Sequence, residues 1–287
     1  MTKYVIITPA RDEQSHIQET ILAVSEQSIR PAEWIIVDDG STDQTSDILE
    51  RAARTYPWIT VVCRTDRGYR HAGGGVVAAF NEGYANLRSS DWEYLVKLDA
   101  DLSFGPDYFE RCFAEFQKDP RLGIGGGGIY HLENGELKVE SVPAFHVRGA
   151  TKIYKRDCWE KLGGLVAAPG WDTIDELKAN MLGWSTRSFL DLRVSHHRIT
   201  GAADGAWKNS VKNGFANYVT GYHPLFMFFK CVKRLPAKPY LVGSVGLGWG
   251  FLKAYFKHAE QVKDYDLIAY TRSQQMRRLF YLESIWK

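Results

Sequence analysis

Asp99-Ala-Asp101 carries more potential chemistry than any other short stretch of the chain. It follows Leu95-Val-Lys-Leu98, so both carboxylates emerge where a strand-like run ends. On extended backbone, residues two apart point to the same side. Two such carboxylates repel each other until a cation relieves them, and a hard divalent ion carrying phosphate oxygens and water suits the pair. Two other strand ends are polar: Thr8-Pro-Ala-Arg-Asp-Glu13 and Asp38-Asp-Gly-Ser-Thr-Asp43. The second also reads as a turn leading into a helix N-cap, and both readings stay open. Further on, Leu190-Asp-Leu-Arg-Val194 reads as a strand that runs into Ser195-His-His-Arg198. Alternation allows only one of His196 and His197 to face a site there, and Arg198 suits a phosphate oxygen.

These groups need a frame, and the first hundred residues describe one. Tyr4-Val-Ile-Ile-Thr8 predicts a buried strand ending at Pro9. Ile17, Ile21, Val24 and Ser28 have helical spacing, with Ser15 as the expected N-cap. Trp34-Ile-Ile-Val37 predicts a second strand; Ile48, Leu49, Ala52, Ala53 and Tyr56 mark one face of a second helix. Ile59 to Cys63, Val76 to Leu87 and Tyr94 to Leu98 then read as strand, helix and strand. Alternation at this spacing predicts an α/β fold with a mainly parallel sheet covered by helices. Ligands of such sheets bind at the carboxyl ends of the strands, where the polar signatures lie.

Composition narrows the function classes. The 287 residues hold 36 Lys plus Arg and 34 Asp plus Glu, and 45% are hydrophobic, which excludes a disordered chain, a collagen and a coiled coil. Cys63, Cys112, Cys158 and Cys231 are far apart with no CxxC spacing, so a zinc ribbon or disulfide framework is not expected and a reducing compartment is favoured. Met1-Thr-Lys-Tyr4 enters a strand-like run without a charged and apolar leader, which favours the cytoplasm. The charge is unevenly spread. Residues up to Asp204 hold 23 basic and 30 acidic groups, whereas those from Gly205 hold 13 and 4. Between Lys208 and Lys257 there are eight Lys or Arg, eleven aromatic residues and no acid.

The ordered set Pro9…Glu13, Val37-Asp-Asp-Gly-Ser41 and Leu98-Asp-Ala-Asp101, followed by an acidic residue before a Gly-Trp, resembles the family-2 inverting glycosyltransferases of the GT-A fold. The resemblance covers residues 3 to about 200. It implies a metal-dependent transfer of a sugar from a nucleotide-diphosphate donor, a UDP-sugar being favoured, with Mn2+ or Mg2+ as cofactor. By carry-over, Thr8, Pro9, Arg11 and Glu13 line the base pocket and Asp38 and Asp39 reach the base or ribose. Asp99 sits near the ribose and metal, and Asp101 is the direct metal ligand. A late histidine completes the metal or diphosphate site; His197 is chosen, with Arg198 on the diphosphate. Lys155-Arg-Asp-Cys-Trp-Glu-Lys-Leu-Gly-Gly164 and Gly170-Trp-Asp-Thr-Ile-Asp-Glu176, before Gly183-Trp184, resemble the family's segment leading to its catalytic aspartate. Counting eleven residues back from Gly183 selects Asp172 as the base that deprotonates the acceptor hydroxyl. Trp171 stands where the family has Glu, and Asp175 and Glu176, within a helical turn, remain alternatives as base or as charges complementing a helix N-terminus. On this reading residues 1–204 form the catalytic domain: 1–101 hold the nucleotide and 102–204 the acceptor.

Rival readings are weaker. Gly73-Gly-Gly75-Val-Val-Ala78 fits a dinucleotide fingerprint, but nine residues separate it from the strand ending at Cys63. Arg64 to Arg70 with those glycines reads better as a basic loop and helix N-terminus near phosphates. A sugar-phosphate nucleotidyltransferase normally has a Gly- and Arg-rich first loop ending in Lys, which Thr8 to Glu13 is not. A non-catalytic carbohydrate-binding scaffold predicts loss of a charged motif, and only Trp171 departs. Residues 205–287 read as a helical, basic-aromatic extension. Its aromatic and cationic residues suit a membrane interface better than nucleic acid, and Pro239 to Phe256 is too short and glycine-rich for a span. Gln274-Gln-Met-Arg-Arg278 resembles the Gln-x-x-Arg-Trp signature of processive synthases, with Arg278 in place of Trp. Without a span to thread a product, a single-addition enzyme is expected. It would act on a glycan or lipid-linked acceptor in cell-surface polysaccharide synthesis, peripherally at the inner face of the plasma membrane through residues 208–257.

Overall fold

The computed structural model describes residues 2–66, 74–133, 136–140, 142–198, 205–237 and 240–286. Most of the expected basic glycine loop (67–73) and the expected domain boundary at 204/205 touch or fall in segments outside the described residues. The first half runs β1 (Tyr4–Ala10), α1 (Ile17–Ser25), β2 (Glu33–Asp38), α2 (Thr45–Thr55), β3 (Ile59–Cys63), α3 (Gly74–Ala85) and β4 (Tyr94–Leu98). These strands pair in parallel in the order β3-β2-β1-β4. Tyr4 to Ile7 are buried on both sides of the strand, which is why β1 reads as a continuous apolar run rather than an alternating one. One face packs against α1 and α2 through residues such as Ile6, Ile21 and Leu49, the other against α3 through Val5, Ile7 and Phe80. Ser15 does not cap α1. The His16 and Ile17 amides donate instead to the Glu13 carbonyl, so the first turn closes on backbone. The third helix begins and ends two residues earlier than its apolar face suggests.

The second half adds the antiparallel strands that make the sheet mixed, as the GT-A resemblance implies. After β5 (Leu102–Phe104) come α4 (Tyr108–Lys118), β6 (Leu122–Glu133), β7 (Glu136–Val139), β8 (Thr151–Lys155), α5 (Arg156–Leu162), α6 (Trp171–Met181) and β9 (Ser185–His196). The sheet continues β4-β8-β6-β9-β5, with β7 paired to β6. β8 runs antiparallel to both β4 and β6, making the sheet mixed. Gly126 and Gly127 of β6 let neighbouring strands approach. A Cβ there would lie 2.4 Å from the Thr151 carbonyl oxygen and 2.5 Å from that of Leu192.

Four helices follow: α7 (Gly205–Val219), α8 (Pro224–Arg234), α9 (Val242–Phe256) and α10 (Tyr265–Leu279). They share a core with α6, in which Ile174 and Leu177 meet Val219, Phe226, Leu247 and Trp286. The glycines that make Pro239 to Phe256 look loose serve this packing, since α7 and α9 touch backbone to backbone. Among the described residues, no helix is long and apolar enough to cross a membrane.

Candidate active site

The sheet builds an acidic and imidazole cluster from three strand ends. Asp99 follows β4, Asp101 precedes β5, and β5 pairs antiparallel with β9 so that Leu102 lies opposite His196. His196 Nε2 thereby comes 3.2 Å from Asp101 Oδ2. Asp99, Asp101 and His196 each offer a ligand atom within 4.8 Å of the others. Two carboxylate oxygens and an imidazole nitrogen suit a divalent cation such as Mn2+ or Mg2+. The choice of His197 is corrected here: its Nε2 faces away, to Ser103 Oγ at 3.0 Å and a Glu19 oxygen at 2.9 Å.

The charges around this cluster oppose one another. Burial pushes the Asp99 carboxyl up and Asp101 adds to this, while Lys97 pulls the other way; the net shift is upward. At Asp101 burial also acts upward, but the His196 hydrogen bond and charge, aided by Arg198, hold the carboxyl below its usual range. His196 responds in kind: burial alone would lower it, yet Asp101 and Asp99 raise it. Lys97 is the residue that sequence reasoning missed. Its buried ammonium donates to the Asp99 carboxylate and to the Gly149 carbonyl. A lysine inside the apolar run Tyr94 to Leu98 was the available signal. His131 and Glu140 were missed too. They form a second group with His196, and Glu140 bonds both His131 and Arg148.

The first two loops divide into residues that face a ligand and residues that hold the turn. Arg198 donates to Glu13 at 2.8 Å, tying the end of β9 to the first loop. Arg11 reaches the Asp39 carbonyl at 2.9 Å and the Asp66 carboxylate at 2.7 Å, and Arg64 pairs with the Asp39 carboxylate. Arg11, Glu13, Asp39 and Arg198 are therefore brought to one end of the sheet, with half-buried Pro9 beside them in sequence. Thr8 and Asp38 have their side-chain oxygens engaged locally. Thr8 is fully buried and its hydroxyl accepts the Trp34 indole N–H at 2.9 Å. Asp38 accepts the Ser41 amide at 2.9 Å and the Ser46 hydroxyl, contacts that hold the turn.

The acidic residues of α6 separate just as clearly. Lys152 of β8, wholly buried, reaches Asp175 at 2.7 and 3.0 Å and Glu176 at 2.8 Å. Tyr154 donates to Asp175 at 2.6 Å; His146 and the Val147 amide meet Glu176 at 2.8 and 2.7 Å. Asp175 is 4% exposed and Glu176 0%. Their oxygens are all engaged in this network. Burial pushes the Asp175 carboxyl up to about 6, Lys152 opposing.

Asp172 differs. Among the described residues, no donor reaches its carboxylate. Burial acts to raise it, but the charges of His146, Lys152, Arg148 and Lys97 outweigh burial and hold it below the usual range. Its Cβ abuts Gly149, 3.2 Å from where a Cβ on that glycine would lie, and Gly149 is the residue whose carbonyl Lys97 grips. Gly149 thus stands between the Asp172 side chain and the Lys97 ammonium that pairs with Asp99. Trp171 lays its ring 5.4 Å from the Lys97 ammonium and 5.6 Å from that of Lys152, a cation–π contact to both.

Residues 5–166 match a family model described as Glycosyl transferase family 2. The succinoglycan biosynthesis protein ExoA of Rhizobium meliloti is 32% identical over 182 residues, covering 52% of each chain. The chain spans about half the length of that relative and less of the longer synthases it matches. Among solved structures, the mannosyltransferase PcManGT of Pyrobaculum calidifontis, in complex with GDP-Man and Mn2+, superposes with a TM-score of 0.57 at 19% identity, over 93% of this chain and 78% of that one. Staphylococcus aureus TarS 1-349, in complex with UDP-GlcNAc, gives 0.54 at 16% identity, over 96% and 81%. These two likenesses concern the fold.

Proposed function

The chain belongs to glycosyl transferase family 2, and on that footing we propose that it is an inverting, metal-dependent enzyme that moves a sugar from a nucleotide-diphosphate donor to an acceptor hydroxyl. Its mixed sheet flanked by helices is the GT-A fold. The observation that carries the reading is Asp172, a carboxylate that no donor among the described residues reaches, packed on Gly149, whose carbonyl takes the same Lys97 ammonium that holds Asp99 of the Asp99, Asp101 and His196 cluster.

Arg11, Glu13 and Asp39 hold the nucleoside end of the donor, and Arg198 meets its diphosphate. Asp99, Asp101 and His196 would hold a divalent ion, which would supply charge neutralisation for the leaving diphosphate. Asp172 accepts the acceptor's hydroxyl proton as that oxygen attacks the anomeric carbon. The new C–O bond forms as the bond to the diphosphate oxygen breaks, its electron pair leaving with the nucleotide, and attack from the opposite face inverts the centre. Lys97 holds Asp99 and the Gly149 carbonyl in place, and the Lys152 network fixes the turn that carries Asp172.

UDP is the favoured nucleotide, supported by the family's commonest donor and by the UDP-GlcNAc complex of TarS; GDP is the competitor, given the GDP-Man complex of PcManGT. ExoA's role in succinoglycan biosynthesis supports a glycan or lipid-linked acceptor in polysaccharide synthesis. The outer faces of α8 and α9 support a peripheral place at the inner membrane face. Phe228, Trp249 and Phe256 are exposed there beside Lys233, Arg234, Lys253 and Lys257.

Nucleotide release from UDP- and GDP-sugars, with and without Mn2+, tests the reading. One donor class should be turned over with metal stimulation, and Asp172→Asn should slow turnover while the donor still binds. Turnover equal in Asp172→Asn and wild type would remove the assigned base.

A further inference from the structure

Beside the helical turn that carries the proposed base lies a cavity of about 570 Å³. Thr173, which follows Asp172, and His146, which is bonded to Glu176, line one end of it. Tyr222, in its wall, feels the charges of Glu176 and Asp172. The cavity therefore begins at the turn carrying the proposed base and extends beneath the C-terminal helices.

The lining has two chemistries. Phe145, Tyr222, Phe226 and Trp286 are buried aromatic walls packed edge to face on one another, with ring centroids 5.1 to 6.0 Å apart. Lys230, Lys233 and Arg278 are its cations, and among the described residues no acidic side chain lines it. None of the three forms an ion pair among the described residues. Lys230 sits over the Tyr222 ring at 5.1 Å, and burial, with Arg234 acting the same way, pushes its ammonium down to about 8. A half-buried cation without a counter-ion is costly, and an anion brought between these side chains relieves it. Arg278, which takes the place of tryptophan in the Gln-x-x-Arg-Trp resemblance, is one of the three. Its neighbours Gln274 and Arg277 tie down the C-terminal segment, through Ile285 and the Glu283 carbonyl.

One wall of the cavity is continuous with the outside. Phe229 lines it and is also half-exposed, adjoining exposed Phe228 and Val232 on the outer face of α8. An occupant held by the cations can thus leave an apolar tail along that face. We propose that this cavity is the acceptor subsite and takes the phosphate-bearing end of a lipid-linked glycan. Lys230, Lys233 and Arg278 bind the phosphate or diphosphate, the aromatic walls hold the sugar and first apolar units, and the tail runs out over Phe229 into the membrane. This rests on the transferase reading, since it needs Asp172 to be the base at the other end of the acceptor.

Equilibrium binding of farnesyl diphosphate tests it, with farnesol and inorganic diphosphate as separate probes of the two halves. Each is measured alone and with UDP and Mn2+ at saturation. Farnesyl diphosphate should bind about tenfold or more tightly than either half, and should do so equally with UDP and Mn2+ present. The triple variant Lys230→Gln, Lys233→Gln, Arg278→Gln should lose about tenfold or more of that affinity while keeping wild-type UDP binding. Because Lys230 is half-buried, Lys233→Gln with Arg278→Gln, both exposed, is measured beside it and should lose affinity in the same direction. Unchanged affinity in both variants, affinity no better than farnesol's, or displacement by UDP would overturn the proposal. A wild type that binds farnesyl diphosphate but no nucleotide would break the transferase reading and leave the cavity's ligand chemistry standing.

Discussion

His196 Nε2 lies 3.2 Å from Asp101 Oδ2, although 95 positions separate the two residues in the chain. The antiparallel pairing of β5 with β9 makes the contact and turns the adjacent His197 to Ser103 and Glu19. His196→Ala should weaken Mn2+ binding by about 10- to 100-fold. His197→Ala should leave it within about twofold, as expected of a partly exposed side chain outside the cluster. Titration calorimetry of both variants with Mn2+ checks this; the opposite ranking would return the ligand to His197.

The three acidic residues of α6 should respond differently to substitution. Lys152→Met leaves Asp175 and Glu176 as uncompensated buried charges, so the protein should lose about 3–5 kcal/mol of stability, read from chemical unfolding. Asp172→Asn breaks no hydrogen bond to the carboxylate and loses only its attraction to the surrounding cations, so it should cost less stability than Lys152→Met while turnover falls by about 10²- to 10⁴-fold. A strongly destabilised Asp172→Asn would mean that this carboxylate is structural.

The His146–Glu176 pair gives a pH dependence of definite sign. Burial alone would lower the His146 imidazolium, but the charge and hydrogen bond of Glu176, with Asp172, raise it above its ordinary value. A group whose folded value is raised stabilises fully below its unfolded value, about 6.5 for histidine, and the contribution is lost as pH climbs through the folded value. The stability difference between wild type and His146→Gln should be larger at about pH 6 than at about pH 9. Thermal unfolding at the two values checks it, and a difference that grows with pH would contradict the pairing.

The C-terminal helices depend on glycine contacts. A Cβ on Gly214 would lie 2.0 Å from the Leu247 carbonyl oxygen, and one on Gly250 2.0 Å from that of Val211. Gly250→Ala should cost about 1–3 kcal/mol through overpacking and loosen α7 from α9. Limited proteolysis in the 205–257 region should therefore accelerate, whereas an unaffected variant would show that the helices separate more easily than their packing implies.

Particular residues show what was legible beforehand. The β-branched runs of β1 to β4 and the acidic groups at their ends stand out in sequence because parallel strands buried on both faces leave polarity only at their tips. The choice between the two histidines had a signal in the sequence: His196, not His197, shares the alternation of Leu192 and Val194, which the structure buries. Lys97 and Lys152 were hidden: a lysine in a strand pattern normally faces water, and only the tertiary placement of Asp99, Asp175 and Glu176 explains two buried ones. Asp38 was legible both ways, and its contacts to Ser41 and Ser46 hold the turn.

On the proposed function, Asp101 and its neighbours bind a nucleotide diphosphate with a divalent ion. Calorimetric titration with UDP, GDP and dTDP, with and without Mn2+, on wild type and Asp101→Ala measures this. Mn2+-dependent binding of one diphosphate, lost in Asp101→Ala, is expected. Failure of a folded wild type to bind any of them, or binding that is unchanged in the variant, would contradict it.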